Sequence, residues 1–216
     1  MSSSRPSIGI IGAGPVGRGV AVLLDRAGYP VTVGTRRPEA ARRHGLPPAI
    51  GIGTVQRAAD AEVVIIAVRH PAAPPVLAMV RRQLAGKVLI DTLSAWILRD
   101  YIAAGLSGSR TEGCWLAAQV PEALVARAFS HIDCDMLVSR PTMQPGKWAA
   151  AYAADHPRAA RVTERLLADV GYVPVHLGTL ADSAPLDVGG VLWPYMFTPD
   201  DMRAILADAA APAAAA

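Results

Sequence analysis

The sequence is poor in cysteine, in lysine and in long apolar stretches, and each shortage excludes a class of protein. Its 216 residues include two cysteines, Cys114 and Cys134, which form neither a C-x-x-C pair nor a metal-binding spacing. We therefore expect two free thiols and no metal site. Glycine, proline or charged residues interrupt every apolar stretch well before the roughly 20 residues that span a membrane. We expect a cytoplasmic protein that does not associate with a membrane.

Positive charge is modest and comes almost entirely from arginine. The formal net charge is +3, and the arginines are concentrated at Arg36, Arg37, Arg42 and Arg43. A nucleic-acid-binding protein usually presents a broader basic face with aromatic residues interleaved. A local cluster fits a small molecule that carries phosphate better, so we expect no nucleic-acid partner.

A glycine-rich turn near the N-terminus predicts a dinucleotide-binding site. Its pattern is G-x-G-x-x-G, which carries weight here because a predicted strand precedes it and a predicted helix follows it. The first glycine permits the turn, the second lets a pyrophosphate approach the backbone, and the third lets the helix pack on the strand. The six residues of the turn are Gly12, Ala13, Gly14, Pro15, Val16 and Gly17.

The residues after the second predicted strand indicate which dinucleotide binds. An NAD site usually has Asp or Glu about 20 residues after the glycines, to bind the ribose 2′-hydroxyl. Here Gly34 and Thr35 occupy that place, and Arg36 and Arg37 follow directly. A 2′-phosphate needs hydroxyl and guanidinium donors and no acid. The sequence therefore predicts NADP(H); the alternative is that both arginines are ordinary surface residues.

Alternating strands and helices indicate an α/β fold with a parallel sheet. Strands are predicted at residues 7–11, 30–34, 50–53, 62–68, 87–91, 123–129, 147–153 and 173–177. Helices are predicted at residues 16–27, 38–44, 54–59, 75–84, 109–119, 158–170, 180–186 and 199–210. In the 109–119 helix, Ser109 and Glu112 have the spacing of a capping box.

The carboxyl ends of the predicted strands supply further candidates for the site, because ligands of open α/β sheets bind there. The strand at 62–68 is almost wholly apolar, as a central strand would be. We expect four residues at its end to bind the cofactor, with His70 beside the nicotinamide ribose or in direct catalysis; they are Ala67, Val68, Arg69 and His70. Asp91 ends the next strand, where a loop cap is its ordinary role.

These motifs together resemble the NADPH-dependent F420 reductases (F420H2:NADP oxidoreductases) and related NADP-dependent reductases. The resemblance runs in order through residues 8–19, 34–37, 62–70, 87–91, 120–132 and 155–178. It implies a Rossmann-type doubly wound parallel sheet with a small C-terminal α+β portion, hydride transfer between NADPH and F420, and a homodimer. We interpret residues 1–106 as the NADP-binding core, and residues 107–216 as the portion that completes the sheet and closes the substrate pocket.

The chain departs from the family pattern where the substrate is expected. Ser130 and His131 replace an Asn-Thr pair on the loop that faces the nicotinamide in the family, and Thr92 follows Asp91 where many members have Asn-Pro. We expect Thr92, Ser130, His131 and the aromatic Trp193 to line the substrate pocket. His131 is also the candidate general acid, since its ordinary pKa suits proton transfer; the alternative is that it only lines the pocket.

The chemistry of hydride transfer leaves three functions open. Transfer between two cofactors needs alignment and exclusion of water more than an acid, and F420 is the favoured acceptor. Reduction of a small C=N or C=O substrate needs a proton donor, so it would use His131. The third function is a non-catalytic NADP(H)-binding sensor. No Ser–His–Asp order or glycine elbow indicates a hydrolase.

Overall fold

Eight strands form one sheet in the computed structural model, which describes residues 5–42, 45–95 and 108–211. The strands are β1 (Ile8–Ile11), β2 (Val31–Gly34), β3 (Gly51–Gly53), β4 (Val63–Ile66), β5 (Val88–Asp91), β6 (Leu124–Ala128), β7 (Ala149–Ala154) and β8 (Val173–His176). The helices are α1 (Pro15–Arg26), α2 (Pro38–Arg42), α3 (Val55–Ala59), α4 (Ala73–Leu84), α5 (Glu112–Gln119), α6 (Cys134–Met143), α7 (Pro157–Asp169) and α8 (Pro199–Ala210).

The strand order is β3-β2-β1-β4-β5-β6-β7-β8, and every neighbouring pair is parallel except β6 and β7. The order β3-β2-β1-β4-β5-β6 is that of a doubly wound dinucleotide-binding sheet, which confirms the predicted fold class. Strands β7 and β8 are parallel to each other and extend this sheet at the β6 edge. The predicted boundary between residues 106 and 107 lies outside the described residues, so the division into two portions stays a prediction.

Helices cover both faces of the sheet, which explains why its central strands are apolar throughout. In β4, Val64 and Ile66 belong to the core under α3, α4 and α5, whereas Val63 and Ile65 belong to the core under α1, α6 and α7. All four side chains are therefore buried, as a parallel strand with two covered faces requires. None of the described helices combines the length and the apolar character needed to cross a bilayer.

Two predicted helices differ from the structure, and a third extends beyond the described residues. α5 begins at Glu112 rather than residue 109, because Thr111 is its N-cap and its hydroxyl accepts a hydrogen bond from the Cys114 amide at 3.1 Å. Residues 180–186 form two short 3₁₀ turns, separated at Ser183, rather than one helix. The predicted helix at 38–44 is present as α2 through Arg42, and its residues 43–44 lie outside the described residues.

Helix α6 was not predicted from the sequence. The Asp133 side chain caps it by accepting a hydrogen bond from the Asp135 amide at 2.9 Å, and Pro141 lies inside it. The helix packs against α1, where a Cβ on Gly19 would come within 3.1 Å of the Leu137 side chain. Tertiary packing on α1 therefore supports a helix whose own sequence indicates one only weakly.

Candidate functional site

A cavity of about 740 Å³ opens at the carboxyl ends of β1, β2 and β4. This is where the strand order reverses, the place at which open α/β sheets bind their ligands. Its volume is in the range of small-molecule sites. The described lining residues are Ile11, Gly12, Ala13, Gly14, Pro15, Val16, Gly34, Thr35, Arg36, Val55, Ala67, Val68, Arg69, Pro71, Ala72, Val76 and Ser94.

The glycine turn forms the floor of this cavity. Gly12 has a φ of +123°, and a Cβ there would overlap the carbonyl of Ala67. A Cβ on Gly17 would overlap the carbonyl oxygen of Gly12, so this glycine permits the close packing of α1. Gly14, the N-cap of α1, has no atom within 4 Å of its Cβ position. The open space at a helix N-terminus fits a pyrophosphate.

Replacing Gly14 with alanine is therefore expected to weaken NADPH binding without destabilising the fold. The backbone at Gly14 has φ −73° and ψ −179°, which alanine adopts freely, and the new methyl group would occupy the space left for the pyrophosphate. Calorimetric titration with NADPH and a thermal melt check this. Gly17→Ala is the contrasting variant, because overlap with the backbone should lower its melting temperature. Unchanged NADPH affinity in Gly14→Ala would contradict the assignment.

The end of the cavity beside β2 fits the adenosine half of NADP(H). Thr35 and Arg36 line it, and its described lining contains no carboxylate that would repel a 2′-phosphate. The Thr35 hydroxyl accepts a hydrogen bond from the Arg37 amide at 3.3 Å. Arg37 itself is exposed and is not among the described lining residues. The structure thus brings one of the two predicted arginines to the cavity.

The end beside β4 and β5 receives three of the four residues predicted there. Ala67, Val68 and Arg69 line the cavity, and Ser94 approaches it from the end of β5. His70 does not belong to the described lining; its side chain is buried and faces α5. Its predicted contact with the nicotinamide ribose stays a prediction.

Arg127 on β6 is the centre of a buried ionic cluster. One guanidinium nitrogen lies 2.7 Å from Asp91, and the other lies 3.2 Å from Glu112 and 2.9 Å from Asp187. The Arg127 side chain is fully buried, as are those of Asp91 and Glu112 to within a few per cent. Gly113 makes room for it, since a Cβ there would lie 3.2 Å from the Arg127 side chain. We call Asp91, Glu112, Arg127 and Asp187 the Arg127 cluster.

Glu112 connects the Arg127 cluster to His70. His70 Nε2 lies 2.8 Å from Glu112 Oε2, and the His70 ring packs on Trp115 with centroids 5.0 Å apart. Burial alone would raise the pKa of Glu112, but the hydrogen bond from His70 and the charge of Arg127 outweigh it and hold the pKa below its ordinary value. Glu112 is therefore ionised at neutral pH.

Asp187 adds a third carboxylate to one guanidinium, which leaves the Arg127 cluster with excess negative charge. Burial raises the pKa of Asp187 from 3.8 to about 6, and the nearby Arg127 only partly opposes this. The folded state therefore binds this proton more tightly than the unfolded state does. The stability gained from the proton is complete below about pH 3.8 and is lost as the pH rises through about 6.

Asp187→Asn is accordingly expected to gain stability relative to the wild type as the pH rises from 4 to 7. Asparagine has no proton to lose, so the difference in the free energy of unfolding should shift in its favour by up to about 3 kcal/mol over that range. Urea unfolding of both proteins at the two pH values measures it. A difference that does not change with pH would contradict the raised pKa.

Sequence reasoning missed Arg127, Glu112 and Asp187 as members of one cluster. It noted Asp91 as a loop cap, and Asp91 does accept a hydrogen bond from the Leu93 amide at 2.8 Å. The one local signal for the remainder was an arginine inside the apolar strand β6. Such a residue needs buried partners, but nothing in the sequence shows which carboxylates provide them.

Ser130 and His131 follow β6 and are both buried. The residue before them, Phe129, has a φ of +63°, which non-glycine residues rarely adopt. The Ser130 hydroxyl and both ring nitrogens of His131 have no hydrogen-bond partner in the described structure. Burial, assisted by the charge of Arg127, lowers the pKa of His131 to about 3. The imidazole is therefore neutral at pH 7, and its role as an acid stays a prediction.

The other two predicted pocket residues lie in different surroundings. Thr92 is buried after β5, and its hydroxyl donates to the Ile66 carbonyl at the end of β4 at 2.9 Å. Trp193 is half-buried in the C-terminal segment, whose neighbouring residues Val191, Tyr195, Met196 and Phe197 line a second cavity of about 550 Å³. The described lining of that cavity is Met136, Arg140, Trp148, Val191, Tyr195, Met196 and Phe197. The predicted substrate residues are thus not shown to share one pocket.

The two cysteines and the possible metal ligands were the remaining candidates for the site. Cys114 and Cys134 are free thiols, as predicted. Within the described ranges, no group of three or more His, Cys, Asp or Glu side chains is placed to hold a metal ion.

Comparison with known sequences gives a family and a partial relative. Residues 7–95 match the model of the family described as NADP oxidoreductase, coenzyme F420-dependent. Metalloreductase STEAP3 of Rattus norvegicus is 28% identical over 186 residues, which are 84% of this chain and 36% of that protein. The chain spans about a third of the length of the curated relatives it matches.

Comparison with solved structures gives the same fold over most of the chain. Hypothetical protein SMa0349 of Sinorhizobium meliloti has a TM-score of 0.79 at 25% identity, covering 92% of this chain and 97% of its own. A candidate F420-dependent NADP reductase of Arthrobacter sp. FB24 has a TM-score of 0.69 at 24% identity, covering 82% and 87%. The resemblance seen in the sequence is confirmed: residues 7–95 of this chain match the model of the family described as NADP oxidoreductase, coenzyme F420-dependent.

Proposed function

We propose that this protein transfers hydride between NADPH and the deazaflavin F420. The domain at residues 7–95 belongs to an NADP-dependent oxidoreductase family, and the cavity at its glycine turn has the features that a dinucleotide with a 2′-phosphate needs. The family description supports F420 as the second reactant. The observation that carries the choice of reaction is the match of residues 7–95 to a family described as coenzyme F420-dependent. The buried His131 ring, whose two nitrogens have no partner in the described structure, agrees with this choice.

Proton demand separates this reaction from reduction of a C=N or C=O group. In both reactions a C–H bond of NADPH breaks, and its hydride forms a new C–H bond on the acceptor. A reduced carbonyl or imine needs a proton from a nearby acid as the hydride arrives. Because the pKa of His131 is about 3, very little of its imidazole is protonated at pH 7, so it is a poor proton donor there. A deazaflavin spreads the added charge over its ring and takes its proton from water, so alignment is sufficient.

Different residues of the cavity would bind different parts of NADPH. The amides at the start of α1, with the space at Gly14, would hold the pyrophosphate, and Thr35 and Arg36 would hold the 2′-phosphate. Ala67, Val68 and Arg69 would place the nicotinamide at the β4 end. In this proposal Thr92, Ser130, His131 and Trp193 bind the acceptor, and His131 acts as a neutral pocket residue.

Metal reduction is a second candidate, favoured by the 28% identity to metalloreductase STEAP3. Because this chain covers 36% of that protein, it would correspond to a part that oxidises NADPH. A redox carrier of the flavin class would then accept the hydride and pass its two electrons singly to two ferric ions of a chelate, with release of the proton. This candidate shares the cofactor site with the first and differs in the acceptor.

Absorbance measurements with three acceptors test the proposal. Purified protein and NADPH are mixed with one acceptor at a time: F420, a cyclic imine, or a ferric chelate together with free flavin. We expect NADPH and F420 to be consumed together, one for one. We also expect His131→Gln to keep the pH profile of the wild-type reaction, because a neutral side chain contributes no titration there. Reduction of the imine or of iron without turnover of F420 would overturn the choice of acceptor.

A further inference from the structure

We propose that Glu112 is a positioning residue for the nicotinamide end of the cofactor site, acting through His70 on the loop that follows β4. This inference rests on NADP(H) binding in the proposed function and adds a residue that is remote from the cavity itself. The expected effect of Glu112 is limited to the nicotinamide end of the cofactor. The pyrophosphate and the adenosine half would bind independently of Glu112.

The contact between Glu112 and His70 fixes the cofactor loop to α5. His70 stands between Arg69 and Pro71, and both of these neighbours line the cavity. Because His70 Nε2 lies 2.8 Å from the Glu112 carboxylate, in a fully buried contact, the loop cannot shift without breaking a charged hydrogen bond. Trp115 also packs against the His70 ring. The backbone that would contact the nicotinamide is therefore held in place by the contacts of His70 with α5.

Glu112 is itself held from several directions. Arg127 donates to its carboxylate at 3.2 Å, and the Val188 amide also donates to it. The Glu112 amide donates to Asp187 at 3.1 Å. These three contacts restrain both the carboxylate and the backbone of Glu112. Glu112 thus fixes the loop at His70 relative to β6 and to the segment around Asp187.

The strands that carry this network belong to one half of the dinucleotide fold. His70 follows β4, Asp91 ends β5 and Arg127 lies on β6. In this strand order β1, β2 and β3 bind the adenosine half, and β4, β5 and β6 bind the nicotinamide half. Arg36, at the adenosine end, makes no contact with the Arg127 cluster among the interactions of the described residues. The effect of Glu112 should accordingly be confined to the nicotinamide end.

Binding of NADPH and of adenosine 2′,5′-bisphosphate, which lacks the nicotinamide half, tests this. Glu112→Ala removes the acceptor for His70, and we expect the Kd for NADPH to rise about tenfold while the Kd for the bisphosphate stays within about twofold. Glu112→Gln keeps an amide oxygen for His70 and should recover most of the NADPH affinity. Glu122→Ala is the matched control, since Glu122 pairs with Arg81 at the surface, and it should change neither Kd.

Equal weakening of both ligands, or no change in either, would overturn the inference. If Glu112→Ala does not fold, His70→Phe replaces it, because phenylalanine keeps the packing on Trp115 and removes the hydrogen bond. Failure of both variants to fold would show a folding role and would also overturn the inference. Absence of NADPH binding by the wild type would overturn the proposed function as well, so the two failures are distinguishable.

Discussion

Replacing Arg127 with methionine is expected to lower the free energy of unfolding by about 3–5 kcal/mol, because removing one partner leaves buried charge uncompensated. The guanidinium of Arg127 contacts Asp91, Glu112 and Asp187, and the Arg127 side chain is fully buried. Methionine fills a similar length of the interior, so the loss would come from charge rather than from a cavity. Urea unfolding at pH 7, followed by circular dichroism, measures the change.

The control for this variant is Arg81→Met. Arg81 also pairs with a glutamate, Glu122, at 2.7 Å, but both side chains are half exposed, and exposed pairs contribute little. We expect no measurable change in the urea midpoint. Arg127→Lys should lie between the two, because lysine keeps the charge but cannot reach three carboxylates with a planar fork. A loss below about 1 kcal/mol in Arg127→Met would show that the Arg127 cluster does not stabilise the fold as inferred.

Replacing Arg36 with aspartate is expected to weaken NADPH binding about 10- to 100-fold, the equivalent of one charged hydrogen bond. Arg36 lines the cavity beside Thr35, at the end of β2 where the adenosine ribose lies in this fold. The new carboxylate would repel the 2′-phosphate and would accept a hydrogen bond from the 2′-hydroxyl of NADH. Preference should therefore move from NADPH towards NADH, as titration calorimetry with each dinucleotide would show.

Two further substitutions test whether the effect of Arg36→Asp depends on its position in the cavity. Arg161→Asp, on the exposed face of α7, makes the same change in net charge away from the cavity and should leave both affinities unchanged. Arg37→Asp should have a smaller effect than Arg36→Asp, because Arg37 is not among the described residues that line the cavity. A wild-type protein that prefers NADH would contradict the assignment of this loop to a 2′-phosphate.

The cofactor half of the fold was predictable because its signals are local. The residues that form the glycine turn are consecutive in the sequence. The same is true of the apolar run of β4 and of the two arginines after β2. Helix α6 was missed because its stability comes from the Asp133 cap and from packing on α1, and its own sequence includes Pro141. Helix propensity is a weak guide where tertiary contacts decide.

The polar interior was not predictable, since its members are distant along the chain. Glu112 lies 42 residues from His70 and 15 from Arg127, and Asp187 lies 75 residues after Glu112. The sequence did locate His131 at the end of a strand near the expected site. What it could not give was burial, and burial is the main cause of the lowered pKa of His131.

The most direct test of hydride transfer uses NADPH carrying deuterium at both positions of nicotinamide C4. The purified protein is mixed with this NADPH and F420 for a single turnover, and the reduced F420 is examined by mass spectrometry. If hydride passes directly between the two cofactors, one deuterium will be found on a carbon of the reduced deazaflavin. Reduced F420 without deuterium, or no reduction by a protein that binds NADPH, would contradict the proposed function.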